Sequence, residues 1–152
     1  MTTDARSARP SAMSKRRAEH DESRPIRLFL VDDHPLVREG LKRVLSSMMG
    51  VIVVGEAATG EDAVTRVSEL QPDIVLMDLS LPKMSGINAT RAIKAALPAT
   101  RVLALTMHKE EAYVRGALEA GASGYLVKDA RPSDLVDAIE TVYRGEEYLK
   151  NR

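Results

Sequence analysis

The sequence predicts an α/β fold: a doubly wound, five-stranded parallel sheet with helices on both faces. Three observations predict it. Short, nearly continuous apolar runs alternate five times with stretches of helical periodicity. Four of these runs end abruptly at a polar residue, as a buried parallel strand does where it emerges at its carboxyl end. Each strand and helix together take about twenty to twenty-five residues, enough for the crossover that parallel neighbours require. Such crossovers are right-handed.

Up to Pro25 there is no apolar periodicity, and too little surface to bury to offset the entropy of ordering, so residues 1–25 are expected to form a disordered tail. Within it, Lys15, Arg16 and Arg17, flanked by Glu19, Asp21 and Glu22, read as a solvated charge run, with a targeting or anion-binding patch as the alternative. Ile26 to Val31 is the first strand and stops at Asp32 and Asp33. Pro35 suits the first turn of a helix in which Leu36, Val37, Leu41, Val44, Leu45 and Met48 recur at helical spacing until Gly50. Val51 to Ala57 is the second strand. Thr59, with Asp62 three residues later, resembles a capping arrangement for a helix that turns Ala63, Val64, Val67 and Leu70 inward and ends before Pro72. Ile74 to Met77 runs into Asp78 as the third strand. After a loop with Pro82 and Gly86 comes a helix carrying Ile87, Ala89, Ile93, Ala96 and Leu97, which stops before Pro98. Arg101 to Leu105 runs into Thr106 as the fourth strand, and a helix from about Glu110 to Ala120 ends at Gly121. Gly124 to Val127 runs into Lys128 as the fifth strand. Ser133 is expected to cap a last helix that carries Leu135, Val136, Ile139 and Val142 to Gly145.

A chain of 152 residues is the usual size of one domain. With only five aromatic residues, its core must be built from Val, Leu, Ile, Ala and Met. The absence of cysteine excludes disulfides, a thiolate zinc site and a cysteine nucleophile, and it fits a reducing cytoplasm. No run approaches the roughly eighteen apolar residues of a membrane span, and there is no secretory signal, so a cytoplasmic location without membrane contact is expected. The net charge of zero divides into +2 over residues 1–25 and −2 over the rest, and neither part looks like a nucleic-acid footprint.

In open parallel sheets, ligands collect beyond the carboxyl ends of the strands. The residues there are Asp32 and Asp33, Asp78, Thr106 and Lys128, delivered by four strands to one edge. Taken singly, each has a structural explanation as a helix cap, a turn residue or a solvated loop residue. Taken together, three neighbouring carboxylates repel one another by about 4 kcal/mol per pair at ~4 Å in an effective dielectric of ~20, so something cationic must offset them. Magnesium, which takes one or two carboxylates, waters and a phosphate oxygen, is the natural ion, and Lys128 adds a mobile positive charge. Such a pocket receives an anion. Asp78 is then placed to act as a nucleophile that forms an aspartyl phosphate, and the Thr106 hydroxyl to hydrogen-bond a new phosphoryl oxygen.

These residues coincide with a known family. Residues 26 to about 148 resemble the receiver domain of bacterial two-component response regulators. The resemblance rests on Val31-Asp32-Asp33-His34-Pro35, the run from Asp78 to Gly86, Leu105-Thr106, and Gly124 through Asp129. It implies a flavodoxin-like sheet with strand order 2-1-3-4-5, phosphoryl transfer from a sensor histidine kinase to Asp78, and a signalling switch rather than an enzyme. Asp33 and Asp78 would bind Mg2+ directly, Asp32 would hold metal-bound water, and the Ser80 backbone carbonyl would complete the site. Thr106 and Lys128 would contact the phosphoryl group, and Tyr125 would swing inward as Thr106 moves.

The stretch from Asp32 to Leu41, the Lys128-Asp129 pair and the segment from Ala138 through Leu149 are similar to the NarL/FixJ subfamily. Members of that subfamily usually continue into a DNA-binding helix-turn-helix domain. The resemblance thus implies a receiver over 26–148, a linker beginning at 149–152, phosphorylation-dependent homodimerisation, and contact with DNA only through an output domain outside this chain. Many receivers have proline directly after the lysine. Here Asp129 stands there, so no cis bond is expected at that peptide.

His34 reads as a helix-entry or pocket-rim residue rather than a ligand, since His20 and His108 are remote in sequence. Without the resemblance, Tyr125 reads as a half-buried strand tyrosine. Met48, Met49, Met77, Met84 and Met107 read as gap fillers or loop contacts. Three alternatives remain: a free-standing receiver without a DNA-binding output; a Mg2+-dependent phosphatase working through an aspartyl phosphate, against which Ser80 stands where such enzymes have a second Asp; and a flavin or nucleotide binder, against which the carboxylates after the first strand repel phosphate.

Overall fold

The computed structural model describes residues 24–107 and 111–149. The tail expected over residues 1–25 falls almost wholly outside them, as do His20, His108 and the last three residues of the expected linker. Five strands and five helices alternate: β1 (Ile26–Val31), α1 (Pro35–Ser46), β2 (Val51–Ala57), α2 (Gly60–Leu70), β3 (Ile74–Asp78), α3 (Gly86–Ala96), β4 (Arg101–Thr106), α4 (Glu111–Glu119), β5 (Gly124–Val127) and α5 (Pro132–Tyr143). The strands are parallel and lie in the order β2-β1-β3-β4-β5, as the sequence predicts.

Two cores, one on each face of the sheet, explain why the strands read as continuous apolar runs. Leu28, Leu30, Leu76 and Leu103 point to one face, where Leu45 of α1 and Leu135, Ile139 and Val142 of α5 cover them. Phe29, Val31, Val75, Met77 and Val102 point to the other, beneath Val67 of α2, Ile93 of α3 and Ala117 of α4. A strand enclosed on both sides has no solvent face on which polar residues could alternate.

The helix ends agree in part with the sequence reading. Thr59 caps α2, its hydroxyl accepting from the Asp62 N–H at 3.1 Å, and Ser85 does the same for α3 through Asn88 at 3.2 Å. Ser133 does not cap α5. Pro132, with its fixed φ and no N–H, takes the first helical position, so the cap moves back to Arg131, whose N–H donates to Asp134 Oδ2 at 3.2 Å. Leu36 is a second difference. It lies off the stripe made by Val37, Leu41, Val44, Leu45 and Met48, and 86% of its surface is exposed. Ala96 is also exposed.

Edge strand β2 carries one extra residue. Leu28 pairs with Val53, but Phe29 pairs with Gly55, so Val54 is a bulge. Because side chains alternate with period two, the insertion reverses the faces beyond it. Val51 and Val53 belong to the core on the α1 face, whereas Ala57 belongs to the core on the α2 face. Gly55 then meets Phe29 and Leu70 so closely that a Cβ there would stand 2.8 Å from the Phe29 ring. Glu56 is turned toward α1.

At the opposite edge, the chain leaving α5 returns to the sheet. Tyr148 forms a parallel bridge to Gly124, donating to the Ser123 carbonyl at 3.0 Å and accepting from the Tyr125 N–H at 3.2 Å. Leu149 packs against the α2–α4 core, so the folded unit reaches one residue past the expected boundary at 148.

Two glycines test these packing statements. Gly40 lies inside α1 with nothing within 4 Å of where a Cβ would stand, so Gly40→Ala is expected to stabilise the fold by about 0.5–1 kcal/mol. A Cβ at Gly86 would lie 2.1 Å from the Asp78 carbonyl oxygen, so Gly86→Ala is expected to destabilise. Equilibrium denaturant unfolding reads both signs.

Candidate functional site

The strand register sets polar residues from three inner strands side by side at one rim. Val31 pairs with Met77 and Asp78 with Leu105, so the chain emerges at Asp32 next to Asp78. Thr106 pairs with Val127, which puts Lys128 one step beyond. The Lys128 N–H donates to the Thr106 carbonyl at 2.8 Å, fixing the start of the loop that carries its side chain.

Asp32 and Asp78 are both wholly buried. Asp32 Oδ1 accepts from the His34 N–H at 2.9 Å, and Asp78 Oδ1 accepts from the Ser80 N–H at 3.0 Å, each a local turn in which a carboxylate caps its own loop. The second oxygens converge on one ammonium: Lys128 Nζ lies 2.7 Å from Asp32 Oδ2 and 3.2 Å from Asp78 Oδ2, with its side chain 10% exposed. One ammonium is thus shared between two buried carboxylates as a pair of close ionic contacts.

Burial, the largest influence, raises the Asp78 pKa above the ordinary carboxyl range. The Ser80 N–H and Lys128 oppose that rise, and the Asp32 charge adds to it. Burial pulls Lys128 down, but its contacts with Asp32 and Asp78 together outweigh this and leave it raised. Three carboxylates against one ammonium leave an excess of negative charge at a rim where Asp32 and Asp78 are buried and Asp33 is partly exposed.

Ligand atoms of Asp32, Asp33, His34 and Asp78 all lie within 4.8 Å of one another. An oxygen-rich donor set whose carboxylate charge exceeds what Lys128 offsets fits a hard divalent cation. His34 is the N-cap residue of α1 and its side chain is 62% exposed, the helix-entry and rim position expected of it. Its Nδ1 nonetheless stands 3.1 Å from Asp32 Oδ1 and 3.2 Å from Asp33 Oδ1.

The remaining expected residues lie at different depths. Ser80 follows Asp78 on the exposed loop, and Thr106 is buried at the end of β4. Tyr125 is not at the acid cluster. It is the second residue of β5, buried among the residues of the α2–α4 core. No peptide bond among the described residues is cis, Lys128–Asp129 included.

Sequence reasoning missed two residues. Arg38 of α1 donates from Nη1 to the Asp32 carbonyl at 2.5 Å and from Nε to Glu56 Oε1 at 2.8 Å. Glu56 reaches this position only through the β2 bulge, for which Gly55 inside a strand was the available signal.

Comparison with known proteins identifies the family to which the fold belongs. The Response regulator receiver domain family matches residues 28–140. The chain is 44% identical over 124 residues to the response regulator UvrY of Escherichia coli (strain K12), covering 82% of this chain and 57% of that protein. It is 45% identical over 121 residues to the uncharacterized transcriptional regulatory protein YxjL of Bacillus subtilis (strain 168), covering 80% and 56%. The chain thus spans about half the length of these curated relatives. A two-component response regulator of the LuxR family from Aurantimonas sp. SI85-9A1 superimposes with a TM-score of 0.78 at 47% identity, covering 81% of this chain and 88% of that one.

The raised pKa of Asp78 has a consequence for stability. Its folded value lies above the ordinary 3.8, so the folded state holds the proton more tightly, and ionisation opposes folding at neutral pH. In the presence of a chelator, Asp78→Asn is expected to be more stable than wild type at pH 7 by on the order of 1 kcal/mol. That difference should shrink as pH falls through the raised value toward 3.8 and disappear below it. Paired denaturation curves across pH check both the sign and the window.

Proposed function

Because the chain belongs to the response regulator receiver domain family, we propose that it is a phosphorylation switch of a two-component pathway, in which Asp78 takes a phosphoryl group from a histidine kinase. The observation that carries this reading is the wholly buried Asp78, whose Oδ2 faces Lys128 beside the Asp32–Asp33 pair. Oδ1 is committed to the Ser80 N–H, which leaves Oδ2 as the attacking oxygen.

Its lone pair forms the new O–P bond while the bond from phosphorus to the kinase imidazole breaks and its electron pair stays on the leaving nitrogen. Lys128 moves from its contact with the carboxylates to the incoming phosphoryl oxygens, and the Thr106 hydroxyl donates to one of them. Asp33, Asp78 and the Ser80 carbonyl would hold Mg2+ directly, and Asp32 would hold it through water. Bound there, the ion would supply positive charge to offset the carboxylates and the phosphoryl oxygens.

The switch joins Thr106 to Tyr125. As Thr106 turns toward the phosphoryl group, the space it leaves beside β5 changes the packing of Tyr125 and of the surface made by α4, β5 and α5, and self-association follows. In a full-length regulator, this surface would control a helix-turn-helix output that binds DNA, all within the cytoplasm. A free-standing receiver would use the same surface on other partners.

Incubation with acetyl phosphate and Mg2+ is expected to add the mass of one phosphoryl group to wild type, to add nothing to Asp78→Asn, and to fail with a chelator present. Equal labelling of wild type and Asp78→Asn would overturn the reading. Thr106→Ala is expected to accept the phosphoryl group but to lose the beryllofluoride-induced change in self-association, as read by analytical ultracentrifugation.

A further inference from the structure

We propose that Arg38 is a positioning residue for the acid cluster: it ties the main chain at Asp32 to Glu56 and so sets where Asp32 and Asp33 stand for a divalent cation. The inference rests on the reading of Asp32, Asp33 and Asp78 as a cation site.

The tie has two ends that only a planar fork can join. Nε of Arg38 donates to Glu56 Oε1 at 2.8 Å, and Nη1 donates to the Asp32 carbonyl at 2.5 Å. The Asp32 N–H already donates to the Ala57 carbonyl at 3.1 Å. Both main-chain groups of Asp32 are therefore referred to the end of β2, one directly and one through Arg38.

Glu56 is itself held from three sides. Lys42 binds its Oε2 at 2.7 Å, Arg38 its Oε1, and Arg66 of α2, lying over the Phe29 ring, donates to its carbonyl. The Val54 bulge is what brings Glu56 to the α1 face at all.

The sign of the effect separates positioning from bulk electrostatics. Removing a cation close to an acidic site should tighten dication binding by Coulomb attraction. Loss of a positioning contact should weaken it. Lys42 supplies the control, because it binds the same Glu56 but its contacts run to Glu56 and Glu39.

The experiment compares wild type, Arg38→Met, Arg38→Lys and Lys42→Met by Mg2+ titration calorimetry and by amide hydrogen exchange at Asp32, Asp33 and His34 in the metal-free protein. Both Arg38 variants are expected to bind Mg2+ about tenfold more weakly and to exchange faster in this loop, with Lys42→Met close to wild type in both. Should Arg38→Met fail to fold, Arg38→Lys carries the comparison, since it keeps the charge and loses the fork. The proposal is overturned if the Arg38 variants match Lys42→Met in loop exchange, or bind Mg2+ as tightly as wild type or more tightly. Absence of Mg2+ binding by wild type would instead refute the cation-site reading, and the exchange data would still decide whether Arg38 ties the loop.

Discussion

Two carboxylates with no contact with solvent share one ammonium at the rim of the sheet, and much of the domain serves to keep that unequal arrangement in place. Taking charges out of water is costly, and a single Lys128 cannot satisfy Asp32 and Asp78 in full. The fold tolerates the deficit because each acid is also anchored by a backbone N–H two residues ahead of it, and because the strands beneath are enclosed on both faces. Loops of this kind hold their shape only when what supports them does not move.

That support is unevenly distributed. β3, at the centre of the sheet, is wholly buried, and it delivers Asp78 from between two inner strands. Asp32 and Asp33 come from β1, whose other neighbour is edge strand β2. There the structure adds side-chain ties, from Arg38 and Lys42 to Glu56 and from Arg66 to its carbonyl. Glu56 stays ionised because the Lys42 contact, with help from Arg38, outweighs the effect of its partial burial.

How much of this was legible in the sequence follows from the range of each interaction. The strands and the rim residues were legible because enclosure on both faces produces apolar runs, and because those runs stop where the chain meets the ligand edge, as at Val31-Asp32 and Met77-Asp78. Ser133 misled because Ser is a good cap in isolation, whereas Pro132 sets the helix start. Leu36 misled because spacing alone cannot tell the edge of an apolar stripe from its centre. The Arg38–Glu56 pair was not legible: it joins residues eighteen apart through a bulge that reverses a strand's faces, and no periodic pattern encodes that.

The return of Tyr148 to the sheet bears on where this domain can be cut. Its carbonyl and N–H serve as partners for the Tyr125 amide and the Ser123 carbonyl, so a truncation after α5 would strip main-chain pairing from the strand that carries the buried tyrosine. Whatever is fused beyond Leu149 is consequently leashed to β5 rather than to the last helix, and a pull on that leash reaches Tyr125 through the backbone.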